Sequence, residues 1–240
     1  MLSKNQVKFI RSLKKKKFRQ TNQLFLAEGI KVVEELLSSS FQLHKIYCTI
    51  TYQNPLKVTD LQIITEKELA MISDFTNPNQ VVGIFEIPTE KKPQHKGLTI
   101  ALDGINDPGN LGTIIRLCDW FGVSQLICSE NTVDCYNPKV VQASMGSLAR
   151  VAINYLDLHE YLSSESRIIY GTFLNGENIY DSKPETNSVI VLGNEANGIS
   201  DSIKALVQKK ITIPQFGEQQ QTESLNVATA TAIFLSEFRR

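Results

Sequence analysis

A chain of 240 residues with 42% hydrophobic side chains is long enough for two folded domains and apolar enough to fill their cores. Its 25 basic and 25 acidic residues cancel, which argues against a general nucleic-acid binder, and no apolar run approaches the roughly 18 residues of a membrane span. The cationic amino terminus lacks the apolar core of a secretory signal. Cys48, Cys118, Cys128 and Cys135 form no C-x-x-C pair and fit reduced thiols in a cytoplasm. His44, His95 and His159 show no ligand-like spacing, so no metal site is expected.

The charges are unevenly distributed. Lys4, Lys8, Arg11, Lys14, Lys15, Lys16, Lys17 and Arg19 precede the first acidic residue, and without these eight, 17 basic residues remain against 25 acidic ones. Val7, Phe9, Ile10, Leu13 and Phe18 are interleaved with them, predicting an amphipathic helix docked on the body with its lysines outward. Such an arm is either a phosphate contact or a solvated helix face; Lys14, Lys15, Lys16 and Lys17 are the candidate phosphate-binding residues.

A small α/β unit follows. Residues 24–28, 43–48, 61–64 and 81–87 are strand-like, and 29–37 is helical with Ile30, Val33, Leu36 and Leu37 at helix spacing. Thr65 caps a helix over 66–72, with Glu68 at the capping-box position. Residues 89–97 are charged, proline-bounded and without apolar period, which marks a linker. The domain division is therefore 1–88, linker 89–97, and 98–240.

From residue 98 onward strands and helices alternate. Strands are expected at 98–102, 125–128, 150–153, 168–172, 188–192 and 211–213, and helices at 113–121, 138–146, 158–163, 201–207 and 226–238. Asn137-Pro138 suits an N-cap and first helical position, and Gly122 a helix C′ position. The alternation implies an α/β fold with a parallel sheet covered on both faces.

Three stretches stand out. Leu98 to Leu102 runs into Asp103, then Gly104, Pro108, Gly109 and Gly112 turn the chain before a helix that carries Arg116 about one turn in. Val189-Ile190-Val191-Leu192 runs into Gly193-Asn194-Glu195-Ala196-Asn197-Gly198. Ile211-Thr212-Ile213-Pro214 leads through a polar loop to Ser224-Leu225-Asn226-Val227-Ala228, which opens the last helix. Loops at the carboxyl ends of strands are where open α/β sheets hold ligands.

These stretches, D-x-x-x-D-P-x-N-x-G-x-x-x-R, L-G-x-E-x-x-G, and I-P with S-L-N-V-A, resemble the three ordered motifs of the SpoU (TrmH) branch of the SPOUT RNA methyltransferases, over roughly residues 98–240. The pattern F-L-A-E-G-x-K-V-V-E-E-L-L more loosely resembles the L30e-like substrate-binding domain of rRNA methyltransferases in that family. Within it Glu28 is either a binding residue or, as the safer assignment, a helix-start charge. The resemblance implies S-adenosylmethionine-dependent methylation of a ribose 2′-hydroxyl of RNA, most simply 23S rRNA, with tRNA as the alternative substrate. It also implies a deep trefoil knot and a homodimer that shares its active site.

Carried over residue by residue, the resemblance makes Arg116, Asn110, Glu195, Ser224 and Asn226 the catalytic candidates. Gly193, Ile213 and Leu225 become cofactor-binding candidates, with Thr172 a weaker fourth. A guanidinium is too basic to abstract a proton readily, so Arg116 is expected to orient the hydroxyl and stabilise the forming alkoxide. Glu195 is expected to clamp it bidentately, the alternative partner being Asp119 at i,i+3. Intact candidates argue against a catalytically silent RNA-binding protein. The glycine spacing 104, 109, 112 fails the G-x-G-x-x-G of a dinucleotide-dependent oxidoreductase. The loop over 215–223 is longer and more glutamine-rich than the family pattern, leaving its path over the cofactor open.

Overall fold

The computed structural model describes residues 1–217 and 224–240; the loop expectation for residues 218–223 lies outside the described residues. In chain order the elements are α1 (Lys4–Ser12), α2 (Lys16–Asn22), β1 (Leu24–Glu28), α3 (Ile30–Leu37), β2 (Leu43–Cys48), β3 (Leu61–Ile63), α4 (Glu66–Ile72) and β4 (Val81–Glu86). They continue as β5 (Thr99–Asp103), α5 (Pro108–Trp120), β6 (Gln125–Ser129), α6 (Pro138–Ser144), β7 (Ala152–Leu156), α7 (Leu158–Ser163), β8 (Ile168–Asn178), β9 (Ser188–Gly193), α8 (Asp201–Lys204), β10 (Lys209–Thr212) and α9 (Val227–Arg239). Two compact units result: Met1–Thr89 with Asp134–Ala149, and Glu90–Val133 with Arg150–Arg240.

The first unit carries a four-stranded mixed sheet in the order β1-β4-β2-β3, with β3 parallel to β2 and the other pairs antiparallel. Its apolar core gathers Ile10, Leu13, Leu26, Leu69, Ile72 and Ile84. Thr65 and Glu68 form the expected reciprocal capping box at α4. The basic arm is two helices, not one. A turn over residues 13–15 separates them, and Arg19 is 2% exposed. Its guanidinium donates to the Asp134 carboxylate and to the Leu13 and Lys14 carbonyls. A buried guanidinium needs such partners to offset its lost hydration. Arg19 therefore does not face outward with the lysines, and Phe18 is exposed where a docked position was expected.

Lys14 is also committed, to the Ser73 carbonyl and the Asp74 carboxylate. Glu28 is no helix-start charge. It is buried and accepts from the Ser73 hydroxyl and the Asp74 amide. Burial pushes its carboxyl above the usual range, the Ser73 and Asp74 bonds opposing.

The second unit is built on a six-stranded sheet in the order β10-β8-β9-β5-β6-β7, parallel throughout, as the alternation implied. Its central strands are buried along their length up to Gly193, the half-buried end of β9, as a sheet covered on both faces requires. After β5 the chain builds outward through β6 and β7, then returns on the other side, where β9 pairs with β5 and sets Asp103 beside Gly193. The loops that leave β5 and β9 thus emerge side by side, at the point where strand order reverses.

The linker is strapped to this unit. Gln125 exchanges two amide bonds with the Gln94 backbone, Asn154 donates to the Lys91 carbonyl, and Arg167 donates to the Gly97 carbonyl. Arg167 is fixed in turn by Glu165, whose side chain is fully buried and also meets His95. Burial raises the Glu165 pKa, but bonds from Arg167 and His95 outweigh it and hold the carboxyl at about 2.

Several boundaries differ from the sequence expectations. Helix α5 starts at Pro108, so Gly109 and Gly112 are helical and do not form a turn. Asp107 is its N-cap, accepting from the Asn110 amide, and Pro108 needs no amide partner there. Strand β8 runs on to Asn178, β7 begins at Ala152, and α8 stops at Lys204. Helix α6 stops at Ser144 because Met145 turns left-handed, at φ 51°.

Candidate active site

Gly104, at φ 73°, releases the chain from β5. Its amide donates to the Ser129 hydroxyl, and its carbonyl accepts from Asn194 Nδ2 at 2.7 Å. The buried Asp103 carboxylate accepts from the Ser200 amide at 2.7 Å. The first two motif loops are therefore stitched together by Asp103 and Asn194. The sequence reading assigned neither a role, although Asp103 heads the first motif. Gly193 closes the second loop on itself. A Cβ there would stand 2.2 Å from the Gly198 and Ile199 backbone, so no other residue fits without moving the loop.

The third motif joins through side chains. Asn226 caps α9, its Oδ1 accepting from the Ala228 and Thr229 amides. Its Nδ2 donates to Asn110 Oδ1 at 2.9 Å, and Asn110 Nδ2 donates to Glu195 Oε1 at 2.9 Å. One residue from each motif thus forms a continuous chain, Asn226 to Asn110 to Glu195. The carboxylate at its end is exposed.

Glu195 and Asn226 lie on the wall of a cleft of about 1340 Å³. All four cofactor candidates line it: Thr172, Gly193, Ile213 and Leu225. So does Ser224, which is exposed and leaves the capping of α9 to Asn226. Thr172 is not at a strand end as expected but inside β8, where its hydroxyl donates to the Val191 carbonyl. The wall combines apolar side chains, among them Leu192, Val227 and Phe234, with the Glu195 carboxylate. Such a surface suits a ligand with an apolar or aromatic part and a cationic part.

Arg116 stands apart. It is exposed on α5, is absent from the described cleft lining, and has no hydrogen-bond or ion-pair partner among the described residues. Six residues separate it from Asn110, which turns it about 120° away around the helix. Neither expected pairing forms. Glu195 is engaged by Asn110, and Asp119 holds Arg150 at 2.9 Å. The bidentate Glu195 clamp is withdrawn for that reason.

Residues 97–236 match the SpoU rRNA Methylase family. The chain belongs to this family. Residues 4–83 match the MRM3-like substrate binding domain. A relative of similar length is the 23S rRNA (guanosine(2553)-2′-O)-methyltransferase RlmP of Bacillus subtilis, 30% identical over 99% of this chain and 97% of its own. Among solved structures, a Porphyromonas gingivalis protein assigned to the TrmH family of RNA methyltransferases superposes with a TM-score of 0.90, at 38% identity over 100% of this chain and 98% of its own. An AdoMet-bound rRNA methyltransferase from Sinorhizobium meliloti superposes with a TM-score of 0.85, at 30% identity over 100% and 95%.

Proposed function

We propose that this SpoU-family chain methylates a ribose 2′-hydroxyl of RNA with S-adenosylmethionine, and that its substrate is 23S rRNA. The observation that carries this is the Asn226–Asn110–Glu195 chain at the wall of the cleft, because it joins the three motifs at one point. S-adenosylmethionine, when bound, supplies an electrophilic methyl group on a sulfonium. Gly193, Ile213 and Leu225 would hold it on strand-end backbone, with Thr172 shaping the wall. Glu195 offers a carboxylate to the hydroxyl proton or to the cation, and Asn110 and Asn226 fix its orientation. Ser224 stands beside Asn226 as a further donor towards the substrate.

Arg116 stabilises the forming alkoxide. Because it faces away from its own cleft, the reading includes a homodimer in which Arg116 serves the cleft of the second copy. The apolar content of α9 gives this less support than its sequence suggested, since Phe234, Leu235 and Phe238 are buried within the chain, while Val227, Ala230, Ala232 and Ile233 remain half-buried. Further parts of the proposal are a trefoil knot around β8–β10, an L30e-like fold for residues 1–88 and an RNA-binding role for that unit. A catalytic domain over 98–240 completes it. The four buried thiols suit a reducing compartment, and the cytoplasm is the proposed location.

The test is methyl transfer from labelled S-adenosylmethionine to purified 23S rRNA, 16S rRNA and tRNA, followed by mapping of 2′-O-methyl sites. Incorporation into 23S rRNA alone is expected. Incorporation into tRNA alone would overturn the substrate, and none into any RNA would overturn the activity.

A further inference from the structure

Glu195 stands in a turn that closes on itself. Asn194 and Gly198 exchange both backbone bonds across it, at 3.0 and 2.8 Å. Asn194 Oδ1 accepts from the Ala196 and Asn197 amides at 2.9 and 3.1 Å, an Asx turn that fixes the backbone just past Glu195. The same side chain also reaches outward, its Nδ2 donating to the Gly104 carbonyl at 2.7 Å. That acceptor is itself held on both sides. The Gly104 amide donates to Ser129 Oγ at 2.8 Å, and the Ile105 carbonyl accepts from the Val133 amide at 2.8 Å. Six residues after Gly104, Asn110 donates to the Glu195 carboxylate at 2.9 Å. One short stretch, residues 104–110, therefore holds both the turn that carries Glu195 and the donor that meets its carboxylate. Asp103, through the Ser200 amide at 2.7 Å, anchors the exit of the loop and leaves the Glu195 side to Asn194.

We propose that Asn194 is a positioning residue for methyl transfer: its bond to Gly104 sets the register between the first two motif loops and so places the Glu195 carboxylate against Asn110. The inference rests on the role proposed for Glu195 in RNA methylation. Asn194 lines the cleft, but its oxygen and its nitrogen are both engaged within the protein, so it acts through the turn and not on the substrate. The physical reason is reach. A carboxylate on a turn free to shift by about 1 Å no longer meets its donor, and a misplacement of that size can cost about 10²-fold in rate.

Asn194→Ser separates the two tasks of the side chain. A serine hydroxyl still accepts within the turn but is too short to reach the Gly104 carbonyl. Its thermal midpoint and its S-adenosylhomocysteine affinity should stay close to wild type. Single-turnover transfer to RNA at saturating cofactor should fall about tenfold or more. In a Glu195→Ala background the same substitution should cost less than about twofold, because the carboxylate through which it acts is gone. An equal loss in both backgrounds overturns the proposal and makes Asn194 a general support of the cleft. Wild-type transfer by Asn194→Ser overturns it too. If the serine variant does not fold, Asn194→Asp, which keeps the acceptor for both amides and loses the donor, carries the same cycle. The Asn110 side-chain amide gives a readout that needs no turnover. In asparagine-labelled protein its resonances should move in the Asn194 variant towards their positions in Glu195→Ala. Unmoved resonances overturn the proposal even where transfer falls. Moved resonances in a chain whose wild type methylates no RNA would leave the positioning standing and remove the activity instead.

Discussion

At Arg116 the helix geometry separates two residues that the motif string brings together. Asn110 holds Glu195, which lines the cleft, whereas Arg116 points to solvent with Thr113 and Trp120. If it stabilises the alkoxide, Arg116→Ala should lower the single-turnover transfer rate by ~10²–10³ and leave S-adenosylmethionine affinity unchanged. With Glu195 engaged elsewhere, no carboxylate among the described residues fixes the guanidinium plane. Arg116→Lys should therefore recover a substantial part of the rate as a point charge. Near wild-type transfer by the alanine variant would remove the role; a lysine variant as slow as alanine would restore the need for a planar fork. The sequence named Arg116, Asn110, Glu195 and Asn226 but mispaired them, because a linear motif carries no rotation about the helix axis.

Helix α9 begins where one side chain performs two tasks. The Asn226 oxygen caps the helix and its nitrogen holds Asn110. Asn226→Asp keeps the capping oxygen and adds a charge that the helix amino end favours, but it loses the donor to Asn110. Its thermal midpoint should stay close to wild type while methyl transfer falls at least tenfold. Asn226→Ala should lose both, with about 1 kcal/mol of stability going with the cap. Equal activity of the aspartate variant and wild type would show that the Asn226–Asn110 bond is dispensable.

Among the other elements, α4 was legible to the residue because Thr65 announces its start, and α7 kept its expected bounds, with Asp157 found as its N-cap. Helix α5 was read five residues short. Gly109 and Gly112 signal a turn locally, at about 1 kcal/mol each against alanine, but the Asp107-Pro108 start and the close sheet override them. The linker strap was invisible, since Gln94, Gln125 and Asn154 are unremarkable until folding brings them together. Its acid anchor can be tested by pH. The Glu165 pKa is about 2 in the fold, below its usual 4.5. Its contribution is therefore fully present above about pH 4.5 and lost as pH falls towards 2. In urea titrations the stability gap between wild type and Glu165→Gln should be constant from pH 5 to 7 and narrow below pH 4.5. A gap that widens on acidification would reverse the assignment.

Across the whole molecule, the parallel sheet followed from apolar periodicity, whereas the division at residues 89–97 was drawn from a charged break in composition. What periodicity could not carry was the company of residues Asp134–Ala149, which pack in the first unit around the buried Arg19–Asp134 pair. The same pairings decide what the basic arm can do. Of the four lysines first assigned to RNA, Lys14 is spent on Asp74, whereas Lys15, Lys16 and Lys17 are exposed. Each phosphate that a lysine neutralises adds roughly 0.7–0.9 to the slope of log affinity against log salt. Changing Lys15, Lys16 and Lys17 together to alanine should flatten that slope by up to about 2–3 and weaken rRNA binding most at low salt. Lys14→Ala should leave the slope unchanged, because its charge is already answered within the protein. S-adenosylmethionine affinity should not move in either variant, since the cleft belongs to the other unit. Filter binding of rRNA fragments over a salt series separates the cases: an unchanged slope in the triple variant would reduce the arm to a solvated helix face, and a slope lost with Lys14 alone would show that Asp74 releases it to RNA.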